Sequence, residues 1–216
     1  MLTSGTSTYS DPGEYQSRFR GARINLVFAR YGEFRSRLTW VEFRHLHLLR
    51  TEESLPRIAY LSLPPERLFV SFATNRDAAP IWGGIKLESG DIILHRRGER
   101  MHQRTSAAIH WSLVSLPPEQ LAAYSKAIMG VDVVAQPVSR VLRPPALVRQ
   151  QLLRLHRQAC RLVETKPEMI AHPEVARALE QELIDALVTC LATDDVHNRT
   201  DARRHGRKIK IGRAHV

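Results

Sequence analysis

Cysteine is scarce in this chain: there are two in 216 residues, Cys160 and Cys190. Two thiols cannot build a disulfide framework, and a reducing cytosol suits them. Both fall on the apolar sides of expected helices, where they read as small buried hydrophobes. Long apolar runs are missing too. No stretch approaches the ~18 residues a membrane span needs. The polar start MLTSGTSTYSDPGEYQ lacks the apolar run of a signal peptide. A cytoplasmic location without a membrane partner is expected. The sequence also has no nucleophile elbow, no glycine loop to cradle phosphate and no paired-cysteine zinc site. Its serines show no convincing His and carboxylate partners. These absences argue against an enzyme, and no cofactor is implied.

What is present is enough for a core: 43% of the residues are hydrophobic, which suits one large domain or two small ones. Gly and Pro are near average, which argues against wholesale disorder. The formal net charge of +10 invites a nucleic-acid reading, but its distribution weakens it. From Thr193 onward seven Lys or Arg stand against three Asp, which is +4, and the other +6 is spread over 192 residues. A basic tail holds phosphate without reading sequence.

Short strands dominate the first two thirds. RINLVFAR (Arg23 to Arg30) and the alternating FRSRLTWVEF (Phe34 to Phe43) have the period of half-buried strands. FRHLHLLR continues the alternation, with His45 and His47 on one side. Further strands are expected over Leu55 to Leu63, Arg67 to Thr74, Ile81 to Leu87, Gly90 to His95 and Ser106 to Leu116. Pro, Gly, Asp or Asn punctuates most gaps. Many short strands with short loops argue for a β-barrel or jelly roll. An internal echo points the same way: LSLPPERL (Leu61 to Leu68) returns as VSLPPEQL (Val114 to Leu121), as two Greek-key halves would leave. The second copy, PPEQLAAYSKAI, should start a short helix.

Two helices follow. Val148, Leu152, Leu155, Ala159 and Leu162 make a heptad-like stripe on a helix expected from about Pro145 to Thr165. Pro167 and Pro173 interrupt it. A second helix begins at Pro173 and carries Val175, Leu179, Leu183, Leu187 and Leu191 on one side. The pair should form an antiparallel hairpin, buried against itself, the β-domain or a second subunit.

Three groups of side chains could carry function. His45 and His47, followed by Glu52 and with His95 or His102 from a later segment, have the residue types of a metal site. The arginines Arg50, Arg96, Arg97 and Arg100 oppose a cation there. Surface or core histidines, or a small-molecule pocket, are the other readings. Trp40, Phe72, Trp82, His110 and Trp111 could line a barrel interior that takes a small organic effector, or could be plain core.

In order, DPGEYQ, SLPPERLFVSF, IWGG, GDIILHRRGERMHQRT, WSLVSLPPEQLAAY, VLRPP and HPEVARALEQELIDALVTCLA resemble the N-terminal portion of AraC-type bacterial transcriptional regulators, from about Asp11 to Ala192. The resemblance implies an α+β chain: a cupin-like β-barrel (jelly roll) and then a helical hairpin that dimerises. Promoter DNA would be bound by a C-terminal domain of two helix-turn-helix units. It makes Val148, Leu152, Leu155, Leu179 and Leu183 interface candidates, and Trp40, Trp82 and His102 pocket or core candidates. The expected organisation is a flexible segment over 1–20, the β-domain over 21–143, the helical hairpin over 144–192 and a disordered basic tail over 193–216. After Ala192 only 24 residues remain, too few for two helix-turn-helix units. KIGRAHV back-translates as AAG ATC GGA AGA GCA CAC GTC, which contains the start of a common sequencing-library adapter. A regulator truncated before its DNA-binding domain is therefore expected. The other reading is a standalone small-molecule-binding protein.

Overall fold

A computed structural model describes residues 2–19, 21–75, 79–130 and 138–211, with side chains described as far as Thr193. The expected tail thus falls outside the described side chains. In chain order the elements are β1 (Thr3–Tyr9), α1 (Pro12–Ser17), β2 (Arg23–Phe28), β3 (Ser36–Glu42), β4 (His47–Glu53), β5 (Arg57–Ser62) and β6 (Leu68–Ala73). Then come β7 (Ile81–Trp82), β8 (Ile85–Lys86), β9 (Ile92–His95), β10 (Arg100–Arg104), β11 (Ile109–Leu116) and α2 (Pro118–Met129). β12 (Arg140–Leu142), α3 (Ala146–Thr165), α4 (Pro167–Ala171) and α5 (Pro173–Ile211) complete the chain.

The strands form two open antiparallel sheets. The larger has seven strands in the order β1-β3-β4-β11-β6-β9-β12, and the smaller has five in the order β2-β5-β10-β7-β8. The fold is α+β, but the expected closed barrel is not there. Closure needs edge strands long enough to pair at a consistent stagger. Here β8 is two residues long and β12 three, so the sheets meet through side chains and turns instead. Counting strands in a sequence does not reveal whether their edges join.

Three layers result, and the alternation of the strands explains them. Along β11, Trp111 and Leu113 face the smaller sheet, in a core with Tyr15, Phe19, Leu26 and Leu61. Val114 and Leu116 face the helices, in a core with Leu121, Leu155, Leu183 and Leu187. Leu68, Val70 and Phe72 of β6 join that second core, whereas Phe69 joins the first. The larger sheet is therefore covered on both faces. Helices α3 and α5 run antiparallel: α4 joins their near ends, and Cys190 Sγ lies 3.7 Å from the Val148 carbonyl at the other. Polar bonds fix the helices to the sheet. Glu164 of α3 accepts from Thr39 and from Arg50, and His156 meets Ser112 of β11.

Several local expectations change. The segment expected to be flexible, residues 1–20, contains β1, which pairs with β3 along its length. FRHLHLLR is not one strand. Phe43 N donates to Leu46 O at 3.0 Å, so a tight turn joins β3 to β4. IWGGIKL is two short strands joined at Gly83 and Gly84, whose positive φ angles of 53° and 88° are readily adopted only by glycine.

Candidate functional site

The sheet register sets side chains from distant parts of the chain side by side. Glu42 of β3 pairs with His47 of β4, and His47 pairs with Ser115 of β11. Trp40 pairs with Leu49, and Leu49 with Leu113, in the next row on the same face. These two rows face the smaller sheet. Between them and the segment after α1 lies a cavity of about 190 Å³, lined by Trp40, Leu49 and Leu113 in its depth and by Glu42, His47, Ser115, Phe69 and Arg67 at one end. Arg18, Phe19, Gly21 and Ala22 line it as well. Trp40 fits because its partner in β1 is Gly5. A Cβ on Gly5 would lie 2.6 Å from the indole, closer than packing allows.

Arg67 is held rigidly. Its Nε donates to Ser115 Oγ at 3.0 Å, and its Nη2 donates to the carbonyls of Ser115 and His45, each at 2.8 Å. Burial lowers its pKa, against the opposing pull of Glu119 and Glu42. Nη1 is left without a hydrogen-bond partner among the described residues. His47 is half-buried; burial and then the charge of Arg67 lower its pKa, although Glu42 and Glu180 act the other way. Its imidazole is therefore neutral near pH 7 and carries one N–H to offer.

A second feature lies behind this end of the cavity. Glu180 of α5 accepts from the backbone amides of His45 and Leu46 at 2.6 and 3.0 Å. The His45 carbonyl takes the bond from Arg67. The β3–β4 turn thus touches the cavity through Arg67 and the helical layer through Glu180.

The sequence candidates disperse. Trp40 lines the cavity. Trp111 lies one row deeper, stacked on Phe19 with centroids 6.0 Å apart, and its indole N–H donates to Glu53 at 3.0 Å. Phe72 is on the opposite face of the sheet, edge-on to His156 at 5.3 Å. Trp82 packs with Leu87 and Ile93 in a small separate core. His102 is exposed on the smaller sheet beside Tyr60, and His110 lies on a shallow surface near Arg37 and Glu52. His45 lies in the β3–β4 turn and His47 at the cavity, whereas His102 is exposed on the smaller sheet, and among the described residues no group of three His, Cys, Asp or Glu is placed to hold a metal. Of the interface candidates, Leu152, Leu155, Leu179 and Leu183 are buried inside the chain, and Val148 packs partly against them.

Over 88% of its length the chain superposes on 70% of the crystal structure of the AraC-like transcriptional activator CuxR, with a TM-score of 0.57 and 14% identity. The likeness is one of fold. Smaller portions match a putative glyoxylate-induced protein from Pseudomonas aeruginosa (12% identity, 59% of this chain and 46% of that one, TM-score 0.30). An RmlC-like cupin from Shewanella frigidimarina matches over 44% of this chain and 84% of that one, at 9% identity and a TM-score of 0.31. No protein-family model and no curated protein matches the chain.

Two groups missed in the sequence stand outside the cavity. Ser71, His95 and Glu99 form a hydrogen-bonded chain, with Ser71 Oγ 2.7 Å from His95 Nε2 and His95 Nδ1 2.6 Å from Glu99. The order is that of a nucleophile, base and orienting acid. Burial raises the pKa of the Glu99 carboxyl, but bonding to His95 and its charge outweigh this and hold it low. Yet Ser71 and His95 are 4% and 2% exposed, so a substrate cannot reach the hydroxyl. The trio ties β6 to β9. At the far end of the sandwich Arg57 and Glu53, both fully buried, pair at 2.7 Å. Tyr15 donates to Glu53 at 2.7 Å, and burial followed by the Glu53 charge raises the Tyr15 pKa well above its usual value. Among the described residues no helix is long and apolar enough to cross a membrane.

Proposed function

We propose that the chain is the effector-sensing and dimerisation portion of an AraC-type transcriptional regulator, with promoter DNA read by the full-length parent. The observation that carries the reading is the cavity between the sheets, apolar in its depth and polar at one end, as ligand sites commonly are. The shared fold with an AraC-like activator gives it context. The cavity binds a small molecule and releases it unchanged. His47 and Ser115 share one end of the cavity, but the Ser115 hydroxyl oxygen is engaged by Arg67 Nε, which favours binding over catalysis. Pairing of two chains belongs to the same proposal. It uses helix faces other than the buried leucines, such as the face bearing Leu147, which is 81% exposed.

The test is a chemically mixed panel of small molecules, followed by thermal shift and calorimetry on the whole chain. Binding of one molecule per chain, recovered unchanged, is expected. A panel in which nothing binds rejects the reading, and turnover of a bound compound replaces it with an enzymatic one. Sedimentation across a range of concentrations tests pairing; a monomer throughout removes that half.

A further inference from the structure

We propose that this cavity takes a small organic monocarboxylate, its carboxylate at the Arg67–His47–Ser115 end and its apolar body on Trp40; the inference rests on the effector-binding reading above. Three residues with donor groups line that end. Arg67 spends Nε and Nη2 on protein acceptors and keeps Nη1 for a ligand. Ser115 Oγ accepts from Arg67 and so retains its own proton to donate. His47 contributes a ring N–H and has no hydrogen-bond partner among the described residues.

The charges agree in sign. Among the described residues Arg67 and Arg18 put positive charge at the cavity, and the Glu42 carboxylate there already accepts from Thr3 at 2.6 Å. Arg67 is desolvated and already oriented, so an anion reaching Nη1 gains a charge-assisted bond without ordering a free side chain. A neutral ligand leaves a half-buried guanidinium edge uncompensated.

Size and shape narrow the class. At about 190 Å³ the cavity is below the ~300–1,000 Å³ usual for drug-sized ligands. A single ring or a short chain suits it. Trp40, Leu49 and Leu113 supply an apolar floor beyond the donors, so the acid needs an apolar body opposite its carboxylate.

Matched pairs test this on the whole chain: benzoate, 4-hydroxybenzoate and cyclohexanecarboxylate, each against its own amide. Calorimetry is expected to show each acid binding at least about tenfold more tightly than its amide, a difference of about 1.4 kcal/mol. Arg67→Gln should erase that preference. Ser115→Ala should reduce it, and Arg104→Gln, on the exposed face of the smaller sheet, should leave it unchanged. Because Arg67 also ties down Ser115 and His45, Arg67→Gln could unfold; the acid–amide comparison in the unaltered protein decides without it. Amides that bind as well as acids, or acids that bind Arg67→Gln undiminished, overturn the inference and leave the effector reading standing. So does a mixed panel in which only neutral compounds bind. If no compound of either kind binds, both fall.

Discussion

His156 shows how one residue sets a pH limit on the whole chain. It is 2% exposed and packs between α3 and β11. Ser112 Oγ donates to the Leu49 carbonyl at 2.7 Å and is 2.5 Å from His156 Nε2. Ser112 has one proton, so the imidazole is the donor in that pair and Nε2 is protonated. Burial first, and then the charges of Arg50 and Arg157, lower the His156 pKa from 6.5 to about 3. The unfolded chain therefore takes up a proton near pH 6.5 that the folded chain refuses. Stability from this group is complete above pH 6.5 and is lost as pH falls toward 3. At pH 5 the loss is about 2 kcal/mol, at 1.36 kcal/mol per unit over 1.5 units. Urea unfolding of the native protein and of His156→Gln, at pH 7 and pH 5, isolates the term. The variant should lose about 2 kcal/mol less between the two; an identical loss would show that His156 is not neutral in the fold. The nearby Cys160 thiol is pushed up to about 12 by burial and is equally inert.

Among the elements, the β3–β4 turn matters more than its four residues suggest. Phe43 and Leu46 are core residues at 5% and 0% exposure, and Glu180, at 8%, satisfies two amides of the turn. Truncating Glu180 strands both. Glu180→Ala should cost about 1–3 kcal/mol, the range for a buried group left unpaired. Glu180→Gln keeps a carbonyl acceptor and should cost less. Chemical denaturation of both variants checks the order, and equal stability of all three proteins removes the turn's dependence on α5. This element was legible only in part. Its strands alternate, but HLH reads as continued alternation, and nothing within FRHLHLLR announces a helix carboxylate 134 residues downstream of Leu46. Strand β1 was hidden for another reason. TSGTSTY has no apolar alternation, because the hydrophobic part of the contact comes from Trp40 lying over Gly5. The helices were plain, since periodicity is a property of one segment. The cavity was not: Glu42, His47, Arg67 and Ser115 meet only through the pairing of four strands.

For the molecule as a whole, the layered architecture decides what the apolar helix stripes are for. A stripe of leucines on a long helix has the same spacing whether it meets a sheet in its own chain or a second subunit. Here Leu152, Leu155, Leu179 and Leu183 join Val41, Leu48, Val70 and Leu116 in one core. They are consumed by folding before any second chain arrives. The distinction is measurable, because contacts within a chain contribute the same stability at every concentration, whereas contacts between chains do not. Leu183 is 1% exposed, and Leu183→Ala leaves a cavity between α5 and its neighbours. The expected cost is about 2–5 kcal/mol. Urea unfolding of the native chain and of Leu183→Ala, each at two protein concentrations a hundredfold apart, separates the roles. The loss from the substitution should be the same at both concentrations, even if the midpoints of both proteins rise together through pairing elsewhere. A loss that depends on concentration would place Leu183 between subunits and return the stripe to the dimer interface.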